Sequence, residues 1–249
     1  MKNVLCASAA AAALFVAAPA LAQSVGSAGL GYSHAEADFG GFDVDSDIWT
    51  ADASVAIPAG QNWTVTLDGG VTYDDDATSD EFGVNGTAHL TRNLGDARVG
   101  GFVGLAEVAD ETAWAVGFEG AKYLANTTLV GQVAYGEVDD SSVELWSIGG
   151  QVRYFVSDNF RIDGGLNFAN VDLGPVDDDM WSIGVGGEYQ FAGTPWSITA
   201  GYDRAELDTA DVTVDTFSIG LRYSFGGDLR ARDRSGADLG GIDGLFSAF

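Results

Sequence analysis

In SIGLRYSF, residues 218 to 225, apolar and polar residues alternate without a break: Ile219, Leu221, Tyr223 and Phe225 take one parity, Ser218, Gly220, Arg222 and Ser224 the other. In a strand these two sets face opposite sides of the sheet. The apolar set ends in two aromatics, and 24 further residues of a different character follow Phe225.

The same alternation runs outward along the chain. In WTVTLDGGVTY, Trp63, Val65, Leu67, Val71 and Tyr73 oppose Thr64, Thr66, Asp68, Gly70 and Thr72; in WSIGVGGEYQF, Trp181, Ile183, Val185, Tyr189 and Phe191 oppose Ser182, Gly184, Gly186, Glu188 and Gln190. FRIDGGLNF, WSITAGY, TLVGQVAY, FGVNGTAHLT and WSIGGQVRY repeat the pattern. Counting by period two gives about twelve segments of roughly ten residues, the length a tilted strand needs to cross a bilayer. RVGGFVGLAEV keeps an open parity, because Phe102 interrupts it. No 3.6-residue amphipathic pattern of useful length is present, so helices are expected to be nearly absent.

Composition fits one large all-β unit: 249 residues, 35 glycines and only four prolines. The formal net charge of −26 excludes nucleic acid as a partner, since binding there requires neutralising phosphates. The amino end reads as a signal peptide over residues 1–22: Lys2 is followed by the apolar run Val4 to Ala18 and by Ala20-Leu21-Ala22 before Gln23. The one cysteine, Cys6, lies in that leader, so no disulfide is expected in the exported chain.

A soluble β-sandwich also alternates, but two features oppose it. Aromatics bound the apolar parity at both ends, as in interfacial girdles, while the opposite parity is rich in Gly, Ser and Thr with charges in mid-strand. The connections also differ by end. Short turns (PAGQN, RNLGDA, LANT, SDN, AGTP) alternate with acidic stretches (DFGGFDVDSD, DDDATSDE, EVADE, EVDDSSVE, DLGPVDDD, AELDTAD). Arg92, Arg98, Lys122, Arg153, Arg161 and Arg222 cluster toward the short turns, and Arg204 alone lies by an acidic stretch.

SIGLRYSF resembles the assembly signal of Gram-negative outer-membrane β-barrels, with Ser218, Gly220, Tyr223 and Phe225 in its defined places. GVGGEYQF, residues 184 to 191, nearly repeats it. The resemblance covers roughly residues 25 to 225. It implies a closed antiparallel transmembrane β-barrel with short periplasmic turns and acidic extracellular loops, located in the outer membrane. Its implied partners are the barrel assembly machinery, outer-membrane lipid and lipopolysaccharide. Within the class the chain resembles small porin-like proteins. It departs from the pattern in continuing past the signal.

The expected organisation is therefore a leader (1–22), a barrel (23–225) and a periplasmic tail (226–249). Glycine content and short length predict a mobile tail, with occupancy of the periplasmic mouth by Arg230, Arg232 and Arg234 as the alternative. A barrel of about twelve strands is wider than the eight-stranded kind that side chains fill. Small inward residues, Thr50, Ser54, Thr64, Gly70, Asn85, Thr87, Gly184, Gly186, Ser197, Thr199 and Gly201, then leave a bore for small hydrophilic solutes. The expected pore-lining charges are Asp52 and Asp68 near mid-strand, and Glu119, Arg153, Arg161, Asp163, Glu188 and Arg222 toward the periplasmic end. Strands eight to ten adjoin, so Arg153, Arg161, Asp163 and Glu188 meet on one wall, as a charge-sorting constriction or as a structural ion-pair patch. The acidic mouth and mid-lumen aspartates predict a modest cation preference.

The alternative function is a non-conducting structural or surface-interaction barrel. Catalysis is not expected, because neither His34 nor His89 is signalled to have an orienting partner beside a nucleophile. No cofactor or metal is expected: Asp43, Asp45 and Asp47 alternate like a calcium loop, but Ile48 stands where glycine is required. Small lipid-facing residues such as Ala51 and Ala53 leave an oligomer open.

Overall fold

The computed structural model describes residues 24–75, 80–108, 111–139, 143–172 and 177–239, so the leader reading lies outside the described residues. Twelve strands follow one another: β1 (Val25–Asp38), β2 (Asp43–Pro58), β3 (Trp63–Asp75), β4 (Asp80–Asn93), β5 (Ala97–Val108), β6 (Glu111–Tyr123), β7 (Thr127–Val138), β8 (Val143–Ser157), β9 (Phe160–Asp172), β10 (Asp177–Gln190), β11 (Trp196–Leu207) and β12 (Val212–Phe225). Each pairs antiparallel with its neighbour, and β1 pairs with β12 to close a barrel. The closing register runs from Gly26 opposite Phe225 to Asp38 opposite Thr213. Closure leaves no unpaired sheet edge in a medium that cannot hydrogen-bond the backbone.

The alternation sorts as expected. Phe217, Ile219, Leu221 and Tyr223 are exposed on the outside, as are Ile183, Val185, Ile148 and Leu166. Aromatics form two outward belts. Toward the turn end, Trp196 and Tyr223 pack at 5.1 Å, Tyr189 and Phe191 at 5.6 Å, and Arg92 lies 5.8 Å above Trp63. Toward the opposite, loop end, Tyr32 packs on Trp49, Trp146 on Phe168 and Tyr202 on Phe217.

The acidic residues are carried differently from the sequence expectation of long loops. The strands run 12 to 16 residues, beyond the roughly ten a bilayer requires, so Glu36, Asp43, Asp45 and Asp47 stand on strand extensions. Asp43, Asp45 and Asp47 share one strand parity there, which replaces any calcium-loop geometry with a flat row.

The ambiguous fifth strand resolves with Arg98 and Phe102 inward and both buried, while Val99, Val103 and Leu105 are exposed outside. Phe102 fits inside because Gly117 faces it: a Cβ on Gly117 would lie 2.5 Å from the ring. Phe102 joins Ala113, Ala115, Ala134, Val138, Leu145 and Val171 in a buried apolar cluster. Apart from Phe102, these residues lie in the half of β6 to β9 nearer the loops, so that part of the interior is filled rather than wet.

One helix occurs among the described residues, α1 (Leu229–Ser235), and it lies inside the barrel at the turn end. The described part of the tail is thus seated, in contrast to the expected mobile extension. Asp228 caps its start by accepting from the Ala231 N–H at 2.8 Å, and Gly236, at φ 87°, ends it. The chain turns inward from Phe225 through Gly226 (φ 87°) and Gly227 (φ 156°). At Gly226 a side chain is excluded twice, by its positive φ and because a Cβ would come within 2.6 Å of the Ser24 carbonyl oxygen.

Candidate lumenal site and its carboxy-terminal plug

All eight charges expected to line the lumen face inward, but several have partners that the sequence did not signal. Asp52 is no free mid-lumen acid. Arg222 donates to it at 2.7 Å from β12, across β1, where Gly29 leaves the gap; a Cβ there would sit 2.7 Å from the Asp52 carboxylate. Arg222 also donates to Ser27 at 3.0 Å.

Asp68, near the middle of β3 as expected, is likewise engaged. His89 is buried between two carboxylates: Nδ1 lies 2.8 Å from Glu119 Oε1, and Nε2 lies 3.0 Å from Asp68 Oδ2. The second contact is close enough for an ion pair without the alignment of a hydrogen bond. Glu119 reaches His89 across β5, where Gly100 stands opposite it. No adjacency along the chain announces this cluster, because its members come from β3, β4 and β6.

The expected wall of Arg153, Arg161, Asp163 and Glu188 does assemble, and the tail completes it. Arg161 Nε donates to Asp163 at 3.0 Å and Nη1 to Asp238 at 2.9 Å. Arg153 donates to Gln151 at 2.6 Å and to Asp233 of α1 at 2.7 Å. Thr128 donates to the second Asp233 oxygen at 2.6 Å. Arg232, the largest fully buried side chain among the described residues, is bidentate on Glu188 at 3.1 and 2.5 Å and also donates to Ser224 and Asp238. Ser197 donates to Glu188 at 2.5 Å.

Burial alone would raise the Asp238 carboxyl, but Arg232, Arg161 and Arg153 outweigh it and hold Asp238 well below the usual carboxylate range. Burial would likewise lower Arg232, yet Asp238 and Glu188 keep it above the ordinary arginine range.

Backbone groups of the tail are satisfied by the wall as well. Ser54 donates to the Ala237 carbonyl and Thr66 to the Gly236 carbonyl, each at 2.8 Å, while Arg98 donates to the Arg234 carbonyl at 3.2 Å and to Thr91 at 2.9 Å. At the rim Arg230 pairs with Asp158 at 3.1 Å, and Arg234 donates to the Leu124 carbonyl at 2.6 Å. The sequence reading placed Arg98 near a turn and left its facing open, so it missed this contact.

Beyond the plug, toward the loop end, lies a cavity of about 420 Å³, bordered by Gln132, Gln151, Asn167, Ser182, Thr199 and Asp203 and floored by the Arg161 network. Gly149, Gly165, Gly184, Gly186 and Gly201 leave its walls bare. Asp203, absent from the sequence-predicted set, is inward and has no hydrogen-bond or ion-pair partner among the described residues; a Cβ on Gly184 would collide with its carboxylate. It is a polar-parity charge in WSITAGYD, a signal that the alternation carried unread.

On the outer face near the loop end, Asp47 accepts from Tyr32 at 2.8 Å and lies 2.8 Å from His34 Nδ1, while His34, Glu36 and Asp45 converge within 4.8 Å.

Comparison with known proteins agrees with this architecture. The chain is similar to an outer membrane channel from Pseudomonas putida F1, with 13% identity, TM-score 0.62, and coverage of 81% of this chain and 96% of that one. It is similar also to the translocator domain of the autotransporter NalP from Neisseria meningitidis, with 15% identity, TM-score 0.54, and coverage of 89% and 98%. The NanC porin aligns at 9% identity with TM-score 0.58, over 79% of this chain and all of the other. At these identities the likeness concerns the fold. No curated protein matches the sequence. A family model of the outer membrane protein beta-barrel domain matches residues 8–225, which takes in every strand described above, and the chain accordingly belongs to the outer membrane protein β-barrel domain family.

Proposed function

We propose that this barrel is an outer-membrane channel for passive passage of small hydrophilic solutes, with a modest preference for cations. The observation that carries the reading is the mid-lumen cavity, walled by glycine, serine, threonine and amide side chains. Among the described residues, each charge bordering it has an opposite charge in contact except one: Arg153 meets Asp233, Glu188 meets Arg232, and Arg161 meets Asp163 and Asp238, while elsewhere in the lumen Arg222 meets Asp52. Asp203 is left as the fixed charge a passing ion meets. The similarity in fold to the P. putida outer membrane channel and to the NanC porin supports the same class.

The turns carrying the amino and carboxy ends face the periplasm on this reading, and the acidic strand extensions face outward toward lipopolysaccharide. Ser218, Gly220, Tyr223 and Phe225 present the barrel assembly machinery with its signal. Each histidine does have a carboxylate partner, which the sequence did not signal, and the channel reading gives neither a catalytic step.

A second reading, a non-conducting structural or surface-interaction barrel, is favoured by one observation: α1 and the apolar cluster both occupy the interior. Reversal potentials of the refolded protein in a planar bilayer under a salt gradient separate the two. The channel reading expects steady currents whose cation preference weakens with salt, because vestibule charges act over about 8 Å at physiological ionic strength. Complete absence of current from a barrel freed of its tail supports the second reading.

A further inference from the structure

We propose that the turn-end mouth is a binding site built for the chain's own residues 228–239, and that this docked segment is a tethered plug that closes the channel. The inference rests on the channel reading for its gating half only.

Complementarity of the two surfaces is the first argument. The wall supplies Arg153 for Asp233, Arg161 for Asp238 and Glu188 for Arg232, so each buried charge of the tail meets its opposite. Without the tail, Arg153, Arg161 and Glu188 of the wall would each lose an opposite charge. The recognition extends around the mouth, through Ser54 on β2, Thr66 on β3, Arg98 on β5, Thr128 on β7 and Ser224 on β12.

Separability is the second. A helix of seven residues does not hold itself together in water, so α1 owes its order to the barrel wall. Only the Gly226-Gly227 hinge ties it to β12, and a hinge without side chains swings without disturbing the strand. The contacts are ionic and polar. Among the tail's apolar groups, Leu229 and Ala237 are buried. The plug can therefore leave into water without exposing a large apolar face, as an apolar wedge could not.

Two measurements on the refolded full-length protein test this. Limited trypsin digestion reads docking directly: the wild-type tail is expected to resist cleavage at Arg230 and Arg234, whereas Arg232→Glu, which opposes Glu188 and alters no strand, is expected to be cut at least tenfold faster. Equal cleavage rates overturn the docking. Single-channel conductance reads gating. Arg232→Glu and a chain ending at Phe225 are both expected to conduct several-fold more than wild type, and a synthetic peptide of residues 226–249 added to the truncated channel is expected to return it to the wild-type level. Conductance unchanged by Arg232→Glu, in a protein whose tail has become trypsin-sensitive, overturns the plug. Truncation that abolishes assembly leaves Arg232→Glu to decide. Failure of the channel reading is distinguishable, since it gives no current in any variant while trypsin protection of the wild-type tail persists.

Discussion

The barrel interior is filled twice, by opposite chemistries. In the loop-end half of β6 to β9 it is closed by side chains of the wall itself, with Ala113, Val138, Leu145 and Val171 packed on one another. At the turn end it is closed by a segment that is not part of the wall and holds through ion pairs. The first filling is fixed, because removing it means unfolding strands. The second is tied to the strands covalently at one point only, and its charges are of a kind that water can solvate when it leaves. A charged interior contact is a poor source of net stability but a demanding one in geometry. A detachable stopper therefore needs it more than a permanent core does.

The largest expected effect on this contrast comes from Glu188→Gln. It takes from the buried Arg232 guanidinium the carboxylate it holds with both terminal nitrogens, leaving Asp238 as its one remaining anion among the described residues, and breaking a buried pair costs about 3 to 5 kcal/mol. Tail protection from protease is expected to be lost while heat-modifiable migration of the barrel persists. Leu145→Ala should do the reverse, lowering the barrel's unfolding midpoint through a loss of about 3 kcal/mol of packing with tail protection unchanged. If both variants free the tail equally, the two fillings are one cooperative unit.

Acid sharpens the comparison further. Undocked, Asp238 titrates near the ordinary value of about 3.9; docked, it is held well below that. A depressed carboxyl favours the docked state fully above its undocked value, and that contribution fades as pH falls below about 4 toward the docked value. Protease protection measured with an acid-active enzyme is expected to be constant from about pH 7 to 5 and to fall below about pH 4. The apolar filling carries no such dependence.

The smallest effects concern ion selectivity. Asp203→Asn is expected to reduce the cation preference, shifting the reversal potential by several millivolts, whereas Asp68→Asn should shift it less, because His89 already faces that carboxylate. Larger loss from Asp68→Asn would move the selective charge from Asp203 to β3.

The alternation of SIGLRYSF and its counterparts was enough to specify strand number, closure and facing, because lipid on one side and lumen on the other impose the period of two throughout. Phe102 broke that period for a local reason, the empty space over Gly117. The charged wall of Arg153, Arg161, Asp163 and Glu188 was readable from strand adjacency. What completes it was not. Residues 228–239 carry no apolar periodicity, and their order depends on partners spread from Ser54 to Ser224. His89 was unreadable for a related reason, since its carboxylates approach from β3 and from β6, the latter across β5, where Gly100 stands opposite Glu119.

That spread of partners has a consequence for the order of events in folding. Ser54 of β2 and Ser224 of β12 stand on either side of β1, and both contact the tail. The pocket between them does not exist until the last strand has found the first. Docking of α1 is therefore among the final steps of maturation, reached only after the longest-range pairing in the chain. Once made, it clasps the two flanks of the seam together, so the same contacts that stop the mouth also slow reopening of the β1–β12 join.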